Sequence, residues 1–318
     1  RGDESLKMHF GQSLRSFPRT RITGEGICRK GRSAIFKLSR FLLLVSIGFI
    51  VVYPLLFMLS NAFKPPAQSY DPAVIWLPKS LTLDNFREAF RIMKFQSTLL
   101  NTLYINIVTG IFQLLSCMIV GYGFARFRFK GRNLVFMLVI LTIIVPPQTM
   151  TLSLYHNYSN LKLIDSVLVF YMPALLGQGL KSGLYIFVFR QFFRGLPVEL
   201  DDAATMDGCG TFRIFYQIML PNAVPAILTV FLFSLVWQWN DYYNPAMFMS
   251  KETVAVALRK FQETMSYIPE FGQDVYDPFF MEARIQAACL LSISPLLIVY
   301  LFTQRFFVEG IERTGLVG

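Results

Sequence analysis

Six apolar runs in this sequence are long enough to cross about 30 Å of hydrocarbon as helices. They lie near residues 38 to 60, 98 to 123, 133 to 152, 166 to 189, 222 to 244 and 285 to 307. Lipid offers a backbone no hydrogen bonds, so a chain built this way spans as helices that satisfy their own polar groups. The composition fits that solvent, with 54% of the 318 residues hydrophobic and only 16% charged, well outside the range of soluble domains. The expectation is an all-α integral membrane protein with six transmembrane helices. Two runs are interrupted, the third by Pro146-Pro147 and the fourth by Gln178 and Lys181.

The net charge of +10 lies on one side of this arrangement. With six spans, both termini share a face, and the segments on that face carry 19 Lys and Arg against 9 Asp and Glu, whereas the opposite loops carry 10 of each. By the positive-inside rule the basic face is cytoplasmic, and so are both termini. Residues 1 to 37 then read as a basic cytoplasmic tail, 38 to 310 as the membrane domain and 311 to 318 as a second short tail. The tail's Lys and Arg serve as topology determinants and contacts to anionic lipid, a better reading than a nucleic-acid surface. Residues 1 to 37 contain no apolar core of the kind a cleaved secretory signal needs, so the first span is expected to anchor the chain.

Catalytic chemistry finds no parts here. The four cysteines, Cys28, Cys117, Cys209 and Cys289, show no metal or disulfide spacing, and His9 and His156 are far apart. GICRKGRS (26 to 33) spaces two glycines as a phosphate loop does but has Arg32 where Lys is required. No nucleophile elbow and no paired carboxylates appear. The expectation is a non-enzymatic chain with no cofactor of its own.

One stretch between the fourth and fifth spans departs from this apolar background: ELDDAATMDGCGTFRIFYQIMLP, residues 199 to 221. Pro197 suits the start of a helix, and Glu199, Asp201 and Asp202 fill first-turn positions that the helix dipole favours for anions. Gly208 after Asp207 supplies a stop, Thr211 is expected to cap a second short helix, and Pro221 to end it. The pattern predicts two bent helices at the cytoplasmic surface, the first made thin by Ala203 and Ala204.

That pattern resembles the EAA loop of ABC-superfamily importer permeases, with Asp202-Ala203-Ala204 in place of Glu-Ala-Ala and Asp207-Gly208 matching the family's Asp-Gly. SLTLDNFREAF (80 to 90), ARFRFKGR (125 to 132), WQWND (237 to 241) and the closing LFTQRFFVEGIERTGLVG (301 to 318) resemble landmarks of the carbohydrate-uptake branch, in order. The segment 267 to 280 and the long basic tail depart from it. The resemblance implies a MetI-like, type I importer fold and a bacterial cytoplasmic-membrane location. It also implies a permease for sugars or oligosaccharides, with the EAA loop at 193 to 221. Its partners would be a second homologous permease, a heterodimer before a homodimer, and two cytoplasmic ATPases binding ATP and Mg. An extracytoplasmic sugar-binding protein completes the set. Glu199, Asp202, Ala203, Ala204, Asp207 and Gly208 would contact the ATPase.

Polar groups inside the spans mark a candidate pathway, because they are costly in lipid. Trp237, Trp239, Asn240, Asp241 and Tyr242 sit near the outer end of the fifth span, where aromatic faces and side-chain oxygens suit a sugar and equally an interfacial belt. Lys181, flanked by Gln178, falls about 20 Å deep in the fourth span by helical rise. It must face water, a solute or a partner chain such as one offering a carboxylate, direct pairing with Asp241 being doubtful on the same rise. Import of another solute, such as glycerol phosphate, and a stand-alone secondary carrier are the rival readings. The second would require internal inverted repeats, and none is visible.

Overall fold

The computed structural model describes residues 24 to 65, 68, 76 to 266 and 278 to 315. Most of the 267 to 280 segment expected to lie outside therefore falls beyond the described residues, as do most of the basic tail and residues 316 to 318. All regular elements among the described residues are helical. Two compact units divide at Leu56/Phe57.

Helix α1 (Gly24–Ala62) begins well before residue 38, and its stretch from Phe36 onward is apolar and carries no charged residue beyond Arg40. The GICRKGRS run lies within this helix, so it forms no phosphate-cradling loop.

In the second unit, α2 (Asp84–Ile92) leads into the 32-residue α3 (Phe95–Arg126). Two faces of α3 explain its place. Thr98, Thr102, Asn106, Thr109 and Gln113 follow one another at helical spacing and are all buried, whereas Leu100, Tyr104, Ile107, Ile111, Leu115 and Ile119 are exposed. A soluble helix does the reverse; here the solvent outside is lipid or another apolar chain, and protein polarity turns inward.

The third predicted span is broken. Helix α4 (Arg132–Ile144) and the segment Pro147–Asn160, which holds a 3-10 turn and α5 (Thr151–Asn160), meet at 95°. Pro146 and Pro147 lack the N–H groups a continuous helix needs there. The fourth predicted span is also two pieces, α6 (Leu168–Leu175) and α7 (Ser182–Gly195). Among the described residues three helices are long and apolar enough to cross a membrane, and the two bent pairs raise the number to five. The fourth run accounts for the difference from six: neither α6 nor α7 has the length of a span.

The acid-rich stretch forms α8 (Glu199–Met206), α9 (Thr211–Ile214), a π turn over Phe215–Met219 and α10 (Leu220–Asn222). Two expectations are corrected here. The residue capping α9 is Gly210, and Thr211 makes no capping bond. Pro221 lies inside α10 rather than ending the helix; the wider π turn before it displaces the carbonyl four residues back with which the proline ring would otherwise clash. Helix α11 (Val224–Trp239) then turns away by 75°. It is followed by α12 (Tyr243–Phe248), α13 (Val254–Ser266) and α14 (Pro278–Gly315).

Helix α3 packs most extensively against α7, and also against α6 and α11. The approach to α7 is closest at Gly121, where a Cβ would stand 2.6 Å from Phe189 Cβ and 3.1 Å from the Arg190 backbone N. One core gathers Met118, Tyr122, Phe189, Phe193, Ile214 and Met219, and a second gathers Met93, Trp239, Val254, Phe261, Met265 and Ala287. Gly121→Val is expected to force the two helices apart and lower stability by about 1–3 kcal/mol. Gly195→Ala, where an added Cβ meets nothing within 4 Å, should shift it by no more than about 0.5 kcal/mol. Thermal unfolding of the detergent-purified variants compares them.

Candidate functional site

The break between α6 and α7 is built by two left-handed residues, Gly177 at φ 71° and Lys181 at φ 62°. Gln178 N–H closes the end of α6 on the Pro173 carbonyl at 2.7 Å. Lys181 is the residue from which α7 starts. Its position therefore does not follow from a rise along one continuous fourth helix; along α7 alone, the 14 residues from Ser182 to Gly195 separate it from that helix's other end by about 20 Å.

The freed backbone of this break is caught by one amide. Gln113, fully buried on α3, donates to the Leu180 carbonyl at 2.6 Å and to Ser182 Oγ at 3.1 Å. Its oxygen accepts from Ser234 Oγ at 2.8 Å and Gln238 Nε2 at 3.1 Å, both on α11. Gln238 also donates to Ser234 Oγ at 2.6 Å, and Ser116 Oγ donates to the Ala174 carbonyl at 2.6 Å. Three elements are thus joined through a side chain whose donors and acceptor are all engaged. Gln113 was not singled out from the sequence. The available signal was the polar stripe of α3, an intramembrane pattern that lipid exposure does not tolerate.

Beside this clamp, the Lys181 ammonium lies 4.6 Å from the centroid of the Trp237 ring. A cation over an aromatic face is attracted by the ring quadrupole. Gln178 and Trp237 are exposed and Lys181 half-buried. Among the described ion pairs none joins Lys181 to Asp241.

The WQWNDYY group does not act as one surface. Residues two apart on a helix point about 200° from each other, so Trp237 faces the break while Trp239 turns into the second core. There it donates its indole N–H to the Ser292 carbonyl at 3.1 Å. Asp241 accepts from the Asn244 backbone N–H at 3.1 Å and side-chain amide at 2.7 Å. Asn240 is exposed, its side-chain amide bonded to the Val236 carbonyl, and Tyr242 is exposed against Tyr243. Trp239, Asn240 and Tyr242 border a separate cavity of about 440 Å³ with Arg259, Cys289 and Ser292.

Beyond the other end of α7, α8 carries Glu199, Asp201 and Asp202 in its first turn. Glu199, Asp202, Ala203, Asp207 and Gly208 are exposed, and only Ala204 of this helix is buried. Gly208, at φ 78°, reverses the chain as the sequence required, and its neighbour Cys209 closes on the Ala204 carbonyl at 2.9 Å. Met206 and Phe212 are 88% and 89% exposed, large apolar groups beside the acids on an open face.

A family model described as "Binding-protein-dependent transport system inner membrane component" matches residues 117 to 313. The arabinooligosaccharides transport system permease protein AraQ of Halalkalibacterium halodurans is 31% identical over 278 residues, 86% of this chain and 93% of that protein. The AraQ of Bacillus subtilis is 28% identical, covering 90% of this chain and 97% of its own length. A solved chain of a bacterial ABC transporter involved in the import of the acidic polysaccharide alginate is similar in fold. Its TM-score is 0.72 at 20% identity, over 87% of this chain and 98% of that one.

Replacing Gln113 with Leu strands the Leu180 carbonyl and the partners on α11 without their bonds. At about 1–3 kcal/mol for each buried group left unpaired, the variant is expected to lose at least about 2 kcal/mol of stability, read from its thermal midpoint in detergent.

Proposed function

This chain belongs to the binding-protein-dependent transport system inner membrane components and is a permease subunit of a carbohydrate importer; we propose that it supplies half of the sugar's path and is driven through α8 by a separate ATPase. It is a multi-pass inner-membrane protein with apolar spanning helices. Family membership brings ATPase and binding-protein partners in general. The finer arrangement proposed is a heterodimer with a second permease, two cytoplasmic ATPases that hold ATP and Mg, and both termini in the cytoplasm.

The observation that carries the coupling role is the exposed face of α8. A short helix with Glu199 and Asp202 outward, Ala203 thinning its profile and Met206 and Phe212 uncovered beside it has the shape and chemistry to sit in a cleft of another protein. Nucleotide-driven closure of that protein shifts the permease between inward- and outward-facing states because the loop's contacts differ between them. Hydrolysis belongs to the partner, and this chain contributes the handle.

The proposed path runs beside the α6–α7 break. Lys181 and Trp237 offer a cation and an aromatic face together, and Gln178 an amide, to a sugar that is acidic or densely hydroxylated. Trp239, Asn240, Asp241 and Tyr242 are proposed to shape its outer end, Trp239 and Asp241 through their neighbours.

Two substitutions test these roles. Gly208→Trp, or Asp202→Ala, is expected to leave ATP hydrolysis by the assembled complex in place and to reduce uptake at least about tenfold. Unchanged uptake by both variants would remove α8 from the mechanism. Lys181→Met is expected to lower uptake of uronate-containing oligosaccharides roughly tenfold more than that of neutral ones, the scale of one charged hydrogen bond. Equal uptake of every sugar tried would dismiss Lys181 as a substrate contact.

A further inference from the structure

Arg126, the last residue of α3, reaches across to the cytoplasmic handle. Its Nε stands 3.1 Å from Asp201 Oδ2, with the two side chains only 9% and 21% exposed. One terminal nitrogen donates to the Leu196 carbonyl at 3.0 Å and lies 3.4 Å from that of Pro197. A single guanidinium therefore holds both the link that joins α7 to α8 and the first turn of α8 itself. Beside it, Tyr122 packs against Phe127, Phe193 and Phe215, with centroids 5.7, 5.4 and 4.9 Å away. The joint is thus filled on its apolar side as well.

From this geometry we infer that Arg126 is the positioning residue that transmits movement of α8 into α3, and through α3 to the break at Lys181. Resting on the coupling role proposed above, the inference adds the route. Arg126 and Gln113 are 13 residues apart on one uninterrupted helix, about 20 Å at 1.5 Å per residue. Gln113 at the far end grips the backbone of Leu180 and Ser182. A displacement of α8 that carries Arg126 with it must therefore move the clamp on the break or dissolve one of the two grips. Asp201 is distinct in this from Asp202, which is exposed and free to meet another protein.

The pair's energetics fit a device for registry rather than for stability. Burial pushes the Asp201 carboxyl above its ordinary range, Arg126 opposes that and Asp202 adds to it, and the burial effect is the largest. Neither Arg126 Nε nor Asp201 Oδ1 has an aligned hydrogen-bond partner. Ion pairs of this kind contribute little net stability and fix geometry instead. Arg suits the post, since its planar fork addresses two carbonyls and a carboxylate at once, which an ammonium cannot.

The test uses the complete complex in proteoliposomes, with native cysteines of this chain replaced by serine and Gln178→Cys added beside the break. Maleimide labelling at 178 is compared without nucleotide and after ATP hydrolysis has left ADP trapped with vanadate, in four backgrounds: Arg126, Arg126→Met, Asp201→Asn, and the two together. The reference complex should change its labelling rate between states. Arg126→Met should hydrolyse ATP yet lose most of that change, roughly tenfold, and adding Asp201→Asn to it should worsen nothing further. Should Arg126→Met fail to assemble, Arg126→Lys takes its place in the same cycle, keeping the charge without the fork. A reference complex that responds while every variant responds equally, or effects of the two substitutions that simply add, overturns the transmission role alone. A reference complex whose position 178 ignores the nucleotide state overturns the proposed path and this inference with it.

Discussion

The membrane interior of this protein is organised around a buried amide. Gln113 donates to two acceptors and accepts from two donors at once, tying α3 to the start of α7 and to α11. An interrupted helix inside lipid exposes backbone groups that water cannot reach, and each must be met by protein. With that requirement filled from α3, the chain tolerates two left-handed residues, Gly177 and Lys181, in the middle of an apolar run. The cation at the break is then held out over Trp237 instead of being carried along a helix face.

Polarity follows a consistent inversion. On α3 the threonines, Asn106 and Gln113 point inward and the large aliphatic side chains outward. Small residues allow the approach that the aliphatic groups cannot, as at Gly121 against Phe189. The hydrophobic effect does not drive helices together inside lipid; close van der Waals fit and shared hydrogen bonds do. Gly121 and Gln113 supply one of each along the same helix.

Much of this was legible from residue order. The apolar runs located α1, α3, α11 and α14, and the Pro146-Pro147 pair marked a real bend. The acid-rich first turn and Gly208 stop of α8 followed from dipole and φ arguments that hold whatever surrounds them. What residue order could not supply was anything that depended on a neighbour. Residues 166 to 189 read as one span because an apolar count does not register a break whose backbone is satisfied from Gln113, 67 residues from Leu180. In residue order the WQWND residues group at the outer end of one span, and only the fold separates Trp237, under Lys181, from Trp239, bonded to the Ser292 carbonyl. Arg126 was one of several cations in a basic loop until the chain folded Asp201 against it.

The π turn at Phe215–Met219 has a bearing on how such a subunit tolerates change. A turn closed by i→i+5 bonds accommodates one more residue than an α turn over a similar advance. A gain or loss of a single residue in the α8–α10 segment can be taken up there, with the helices on either side keeping their orientation. The length of the α8–α10 segment is thereby made independent of which side α11 turns to its neighbours, so that one can be refitted without re-aiming the other.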